Sequence, residues 1–268
     1  MNRMRWPVAP LVYVMLLMVP VYWLVSMAFK TNGEIARGLT LFPVAPTLQH
    51  FRVIFSDPAW WMGYVHAAIY VCMNVIISVG VAIPAAYAFS RYVFPGKRPL
   101  FFTFLVFRMM APVILLVPFV QIFSDLNLFD THIAVALAHC FFNVPIAVWI
   151  LEGFISSVPK EMDESAAIDG HSLPGFFGRI LLPQIAPGIA VTAFFCFMFS
   201  WVEFLLANAL TAVYAKPISG IMTRAGGVLF GDFGMLAAAS VVGFVPGVIC
   251  ILLVRRHLVR GFSMGRVG

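Results

Sequence analysis

Charge is what this chain has least of. Seventeen Lys and Arg and eleven Asp and Glu are spread over 268 residues, ten per cent of the whole, where a soluble protein carries about 25%. Polar residues nowhere accumulate into a stretch long enough to build a soluble domain, which excludes a single-span anchor carrying a soluble head. Hydrophobic residues make up 62% and the mean hydropathy is +0.97, so the chain reads as an all-α integral membrane protein and a single transmembrane domain over 1–268. A net charge of +6 would suggest nucleic acid in a soluble protein. Here the basic residues flank apolar runs, where topology accounts for them, and no nucleic-acid partner is expected.

Recognisable catalytic and metal-binding patterns are missing as well. The four cysteines, Cys72, Cys140, Cys196 and Cys250, are widely spaced inside apolar runs and read as small polarizable packing residues. There is no G-x-x-x-x-G-K-[ST] phosphate loop and no H-E-x-x-H zinc pair, so no catalytic residue, bound cofactor or metal is expected in this chain. Gly261-Phe262-Ser263-Met264-Gly265 satisfies the G-x-S-x-G pattern of serine hydrolases. That elbow needs a strand before it, a helix after it, and an acid and a histidine later in the chain; three residues from the end, it has none of these.

What is present is six apolar stretches near 9–29, 65–90, 99–122, 132–154, 185–208 and 234–254, each approaching or exceeding the roughly 20 residues a helix needs to cross hydrocarbon. The first follows Arg3 and Arg5 but is long and has no Ala-x-Ala exit, so it reads as an uncleaved span. With six spans both ends lie on one side. That side holds Arg3, Arg5, Arg91, Lys97, Arg98, Lys160, Arg179, Arg255, Arg256, Arg260 and Arg266, against Lys30, Arg37, Arg52, Lys216 and Arg224 on the other. Eleven against five predicts cytoplasmic termini. Each span contains proline, at Pro20, Pro84, Pro112 and Pro118, Pro145, Pro187 and Pro246, which predicts a bent, packed bundle. Ala239, Gly243 and Gly247 form a small-residue stripe along the last span, open to a helix of this chain or of another. Outside, the segment from Lys30 to Tyr64 carries Trp60 and Trp61, suited to the membrane interface. The loop from Asn208 to Phe233 has room for a turn and a re-entrant helix.

The longest polar interruption in the C-terminal half runs from Pro159 to Pro183, inside a connection over 155–184 that the charge count places in the cytoplasm. Ser157 is a candidate N-cap, Pro159 suits the first helical position, and Glu161, Asp163 and Glu164 favour the positive end of a helix. Gly170 breaks that helix. Ser172 and Pro174 start a second, which runs through Phe176, Phe177 and Ile180 to a stop at Pro183. Two short helices meet at a glycine elbow, with Ala166, Ala167, Ile168, Phe176 and Phe177 expected to face the cytosol.

Glu164-Ser165-Ala166, then Gly170, then Leu182-Pro183 resembles the EAA loop of permease subunits in binding-protein-dependent ABC importers, with Ser165 in place of the usual first alanine. FPGKR (Phe94 to Arg98), LFDT (Leu128 to Thr131) and FSWVEF (Phe199 to Phe204) extend the resemblance to the carbohydrate-uptake branch, the maltose-type second permease. Val202 stands where that branch usually has asparagine. The resemblance implies a type I ABC importer permease fold with six transmembrane helices in a bacterial cytoplasmic (inner) membrane, importing a sugar or polyol. It implies a homologous second permease, an ATPase dimer that binds ATP and Mg, and an extracytoplasmic solute-binding protein as partners. It assigns Glu164, Ser165, Ala166, Asp169, Gly170, Leu182 and Pro183 to coupling with the ATPase, Glu164 by a polar contact, Ala166 by close approach and Gly170 by the bend. A stand-alone secondary transporter or channel is the alternative.

Ionisable groups inside apolar spans cost about 2.5–3.5 kcal/mol each on insertion scales. Arg108 and Glu203 are two such groups. With Asn143 and Trp201 they either line a hydrated pathway that meets hydroxyl-rich solute or pair between helices to fix the bundle. His139 and Asn74 read as satisfied core residues.

Overall fold

The computed structural model of the chain describes residues 8–226 and 231–264. In chain order the helices are α1 (Val8–Ala28), α2 (Asn32–Arg37), α3 (Gln49–Ser56), α4 (Pro58–Arg91), α5 (Lys97–Met109), α6 (Pro112–Asp125) and α7 (His132–Ser156). They continue with α8 (Glu161–Ile168), α9 (Leu173–Phe176), α10 (Leu182–Gln184), α11 (Ala186–Val202), α12 (Leu205–Ala209), α13 (Ile218–Gly226) and α14 (Phe233–Met264). A π-helical turn, Phe177–Leu181, joins α9 to α10, and no strand occurs among the described residues. Gly265 and Arg3, Arg5 and Arg266 lie outside the described residues; Gly261 to Met264 form the last turn of α14, without the strand a nucleophile elbow needs.

Among the described residues, four helices are long and apolar enough to cross a bilayer: Pro10–Ala28, Pro58–Arg91, His132–Ser156 and Phe233–Arg256. The other two apolar stretches are broken. Residues 99–122, expected as one helix, are α5 and α6 meeting at 92° across Met110 and Ala111, and the run Leu173–Gln184 meets α11 at 81°. Counting each bent pair as one span gives six. The prolines explain where the breaks fall. Pro112 and Pro187 sit in the first turns of α6 and α11, where the missing N–H costs nothing. Pro20, Pro84, Pro118, Pro145 and Pro246 lie inside helices that continue past them.

The chain divides into two compact units. One comprises residues 1–64 and 218–246; its core gathers Ala28, Ile54, Met235 and Ala237 to Ala239 against Leu24, Phe51, Trp60 and Tyr64. Tyr64 donates to the Ala239 carbonyl at 2.7 Å, so the small-residue stripe begins as a contact within the chain. Trp60 and Trp61 belong to the first turns of α4. In the connection after α1, Glu34 accepts from Val44 N (2.9 Å), Thr40 Oγ1 (3.0 Å) and Ala45 N (3.5 Å). The Val44 N–H leads the interactions that hold its carboxyl below the usual range.

The second unit comprises residues 65–217 and 247–268. One of its clusters packs Tyr70, Val71, Phe123, Val135, Phe142 and Leu206. Another packs Ala82, Ala86 and Phe89 of α4 and Val148, Leu151 and Ile155 of α7 against Phe176, Leu181, Ile185 and Cys196. At Gly188 on α11, an added Cβ would stand 2.4 Å from the Phe154 ring, so α7 and α11 touch where only hydrogen fits. Cys140 and Cys196 are buried and Cys72 is exposed.

At the far end of this unit from the elbow, the LFDT stretch is a clasp. Asp130, at φ +60, accepts from the backbone N–H groups of Ala212 (2.9 Å), Val213 (2.9 Å), Tyr214 (2.9 Å) and Ala215 (3.1 Å). Thr131 caps α7 through Ala134 N. Burial pushes the Asp130 carboxyl up, but the four N–H groups outweigh it and hold it below its ordinary value. The clasp therefore contributes fully above the ordinary carboxylate range, near pH 4. Its contribution is lost as the pH falls through the lowered folded value. Asp130→Asn, whose amide oxygen cannot accept all four bonds, is expected to raise hydrogen exchange at 212–215 at least tenfold at pH 7. Exchange unchanged from wild type would show that the loop holds without the clasp.

Candidate functional site

The elbow is built from both sides of Gly170. Ser157 does not cap α8, as the sequence suggested: its hydroxyl donates to the Phe154 carbonyl at 2.7 Å and finishes α7. Lys160 occupies the N-cap without a side-chain bond, and the Pro159 and Lys160 carbonyls accept the first bonds, from Met162, Asp163 and Glu164. Pro159 thus precedes the helix instead of opening it. Glu161, Asp163 and Glu164 lie in the first turn, where the dipole favours them. At the other end His171 N bonds the Ala166 carbonyl (3.0 Å) and Gly170 N bonds that of Ala167 (3.1 Å), with Gly170 at φ +75. This is a Schellman closure with glycine in the left-handed position that it demands. Ser172 then caps α9 through Gly175 N at 3.4 Å, with Pro174 in its first turn.

The second arm passes Pro183 instead of stopping there. Leu182 N bonds back five residues to the Phe177 carbonyl, and the run ends at Gln184. Proline at 183 has no N–H for the preceding turn, and the chain takes up the difference in the wider π spacing.

Ala166 (3% exposed), Phe176 (6%) and Leu181 (1%) are sunk in the core, and Phe177 and Leu182 are half-buried against it. The expectation that Ala166, Phe176 and Phe177 face the cytosol is therefore corrected: the elbow's large apolar residues pay the bundle, and Ala166 seats α8 on it. Ser165 Oγ donates to the Glu161 carbonyl at 2.7 Å, so the serine in the alanine position is satisfied within its own helix. The outward face carries Glu164, Ser165, Ala167, Ile168, Asp169, Gly170 and Pro183. Ile168 (85% exposed) and Leu173 (62%) stand out from it.

On the membrane side, Asn143 donates to Asn74 Oδ1 (2.7 Å) and to the Cys196 carbonyl (3.2 Å), and Asn74 donates to the Ala136 carbonyl (3.1 Å). Both are buried, and together they tie α4, α7 and α11. One turn away, Glu203 takes His139 Nε2 (3.0 Å), Leu206 N (3.0 Å) and Ala207 N (3.1 Å), while His139 Nδ1 meets Ser200 Oγ at 2.5 Å. A carboxylate only accepts, so Nε2 carries the shared hydrogen. Arg108 lies in the last turn of α5, beside the 92° break, with its guanidinium carbon 3.8 Å from the Phe199 ring centroid. No ion pair joins it to Glu203 among the described residues.

Arg108, His139, Asn143, Phe199, Ser200 and Glu203 line one cavity of about 200 Å³. The structure thus brings Arg108, Asn143 and Glu203 together and adds His139 and Ser200. Trp201 stacks on Phe197 at 5.7 Å and is not among the cavity's walls. Sequence reasoning missed the partnership of Glu203 with His139, for which 64 residues of separation leave no local signal.

Among curated proteins, the chain is 29% identical over 266 residues to the trehalose transport system permease protein SugB of Mycobacterium tuberculosis, covering 98% of this chain and 96% of that one. It is 28% identical to the diacetylchitobiose uptake system permease protein DasC of Streptomyces coelicolor, again at 98% and 96%. With the sulfoquinovosyl glycerol transport system permease protein SmoH of Agrobacterium fabrum it shares 28% over 92% of this chain and 87% of that one. Its fold is that of a chain in a bacterial ABC transporter involved in the import of the acidic polysaccharide alginate, at a TM-score of 0.77, 18% identity and 91% and 92% coverage. Residues 59–264 match the binding-protein-dependent transport system inner membrane component family, and the chain, an all-helical multi-pass protein with the type I importer permease fold, belongs to that family.

Proposed function

We propose that this chain is the membrane-spanning permease subunit of an ATP-driven importer for a sugar or polyol, working beside a homologous permease, two copies of an ATPase and an extracytoplasmic solute-binding protein. The elbow carries the reading. One side of it is buried in the bundle and the other offers Ile168 and Leu173 beside Glu164 and Asp169, an apolar patch with an acidic edge fitted to a basic-rimmed groove. ATP and Mg are held by the ATPase, consistent with the lack of a phosphate loop here. Closure of the ATPase dimer draws the elbows together and rocks the two permeases from inward-facing to outward-facing, so that solute passes from the binding protein into the cavity and on to the cytoplasm. Both termini and the elbow lie in the cytoplasm on this reading, in keeping with the bias of basic residues. The named relatives carry trehalose, diacetylchitobiose and sulfoquinovosyl glycerol systems, which supports a carbohydrate-like solute.

Purification from the native host in mild detergent tests this directly. An ATPase subunit and a second permease are expected to co-purify, and uptake in reconstituted vesicles is expected to require ATP inside and the binding protein outside. Gradient-driven uptake by this chain alone would overturn the proposal.

A further inference from the structure

The elbow end of α4 is fastened to its surroundings by hydrogen bonds as well as by packing. Arg91 Nε donates to Asp163 Oδ2 at 2.6 Å and Nη2 to Oδ1 at 3.2 Å, and Nη2 also donates to the Val158 carbonyl at 3.0 Å. Tyr87, one turn back on the same face of α4, donates to Asp163 Oδ2 at 3.1 Å. Its ring lies 4.9 Å from Phe177 and 6.0 Å from Phe176. Beside Arg91, Ser90 Oγ meets Ser156 Oγ at 2.9 Å, and Ser156 Oγ donates to Glu152 at 2.8 Å.

We propose that Arg91 and Asp163 form a rigid link that makes α4 move with the elbow, so that the pair carries the ATPase stroke into a spanning helix. This rests on the elbow being the ATPase-docking element, as argued above. A two-point guanidinium–carboxylate pair fixes direction as well as distance, which a hydrophobic contact alone does not. The side chains of Arg91 and Asp163 are 7% and 18% exposed, so the link is shielded from salt. Asp163 is half-buried on α8 where Glu164 and Ile168 are exposed, so the link turns toward the bundle and leaves the docking patch uncovered. Arg91 and Asp163 are positioning residues: they join the docked element to α4 across more than 70 residues of sequence.

The test uses the assembled transporter with its ATPase and binding protein, reconstituted in vesicles. ATPase co-purification, ATP hydrolysis and solute uptake are measured for Arg91→Gln, Asp163→Asn and Arg91→Lys. The ATPase is expected to co-purify in wild-type amount throughout. Solute moved per ATP hydrolysed is expected to fall at least fivefold for Arg91→Gln and Asp163→Asn. Arg91→Lys, which keeps the charge and loses the fork, is expected to fall between these variants and wild type. A merely structural role would lower the amount of complex and both rates together, and an unchanged ratio of solute to ATP would overturn the link. Loss of ATPase co-purification in the inserted variants would also overturn it, because the pair would then act in docking. Absence of any ATPase from the wild-type preparation would sink the functional reading instead.

Discussion

Replacing Gly170 with proline is expected to cut binding-protein-stimulated ATP hydrolysis and solute uptake to below a tenth of wild type while the chain still inserts in the membrane. Gly170 stands at φ +75, and proline is locked near −65°, so the elbow cannot keep its angle. Proline also lacks the N–H that bonds the Ala167 carbonyl, which removes one of the two bonds closing α8. A left-handed position alone costs an L-residue about 1–2 kcal/mol. That cost is too small to unfold a bundle held by its spans and large enough to displace the outward face of an eight-residue helix. Gly170→Ala keeps the N–H and carries only the conformational penalty, so it is expected to retain partial activity. Full stimulated hydrolysis in the proline variant would show that the angle between the two arms is immaterial to coupling.

Glu203→Ala is expected to destabilise the chain by about 3 kcal/mol, in the range for breaking a buried charge-bearing pair. The change leaves His139 Nε2 and the N–H groups of Leu206 and Ala207 without their acceptor. The observable is a lowered thermal unfolding midpoint in detergent. Because His139 and Glu203 act together, His139→Ala combined with Glu203→Ala should cost less than the sum of the two. A strictly additive result would show that His139 does not depend on the carboxylate. Arg108 is distinguished by the same experiment: it lines the same cavity as Glu203 but makes no ion pair to it among the described residues, so Arg108→Ala should couple to Glu203→Ala less strongly than His139→Ala does.

Local chemistry made much of this molecule legible in the sequence. Gly170, the acidic first turn before it and the Ser172 cap after it are signals carried within a few residues, and the elbow appears where they place it. The apolar runs were equally plain. What failed were inferences needing knowledge of what lies across the bundle. Ser157 looks like an N-cap because the helix before it is invisible from its own side chain; its hydroxyl is taken by Phe154. Phe176 reads as exposed until α4 and α7 supply the core that buries it. The break at Met110–Ala111 was written in Pro112, but a proline in an apolar run signals a kink or a break alike, and only the surrounding packing decides between them. Arg91 and Asp163, far apart in the chain, share no pattern to announce their meeting.

The two faces of the elbow answer to different masters. Ala166, held at 3% exposure, can change only in step with this chain's own interior, whereas Ile168 and Leu173 touch little of their own subunit. On the docking proposed above, drift at those two positions would re-tune which motor protein is accepted while leaving the transmembrane architecture intact. A lineage of such importers could in this way come to share one energising subunit, or part company over it, through surface substitutions alone.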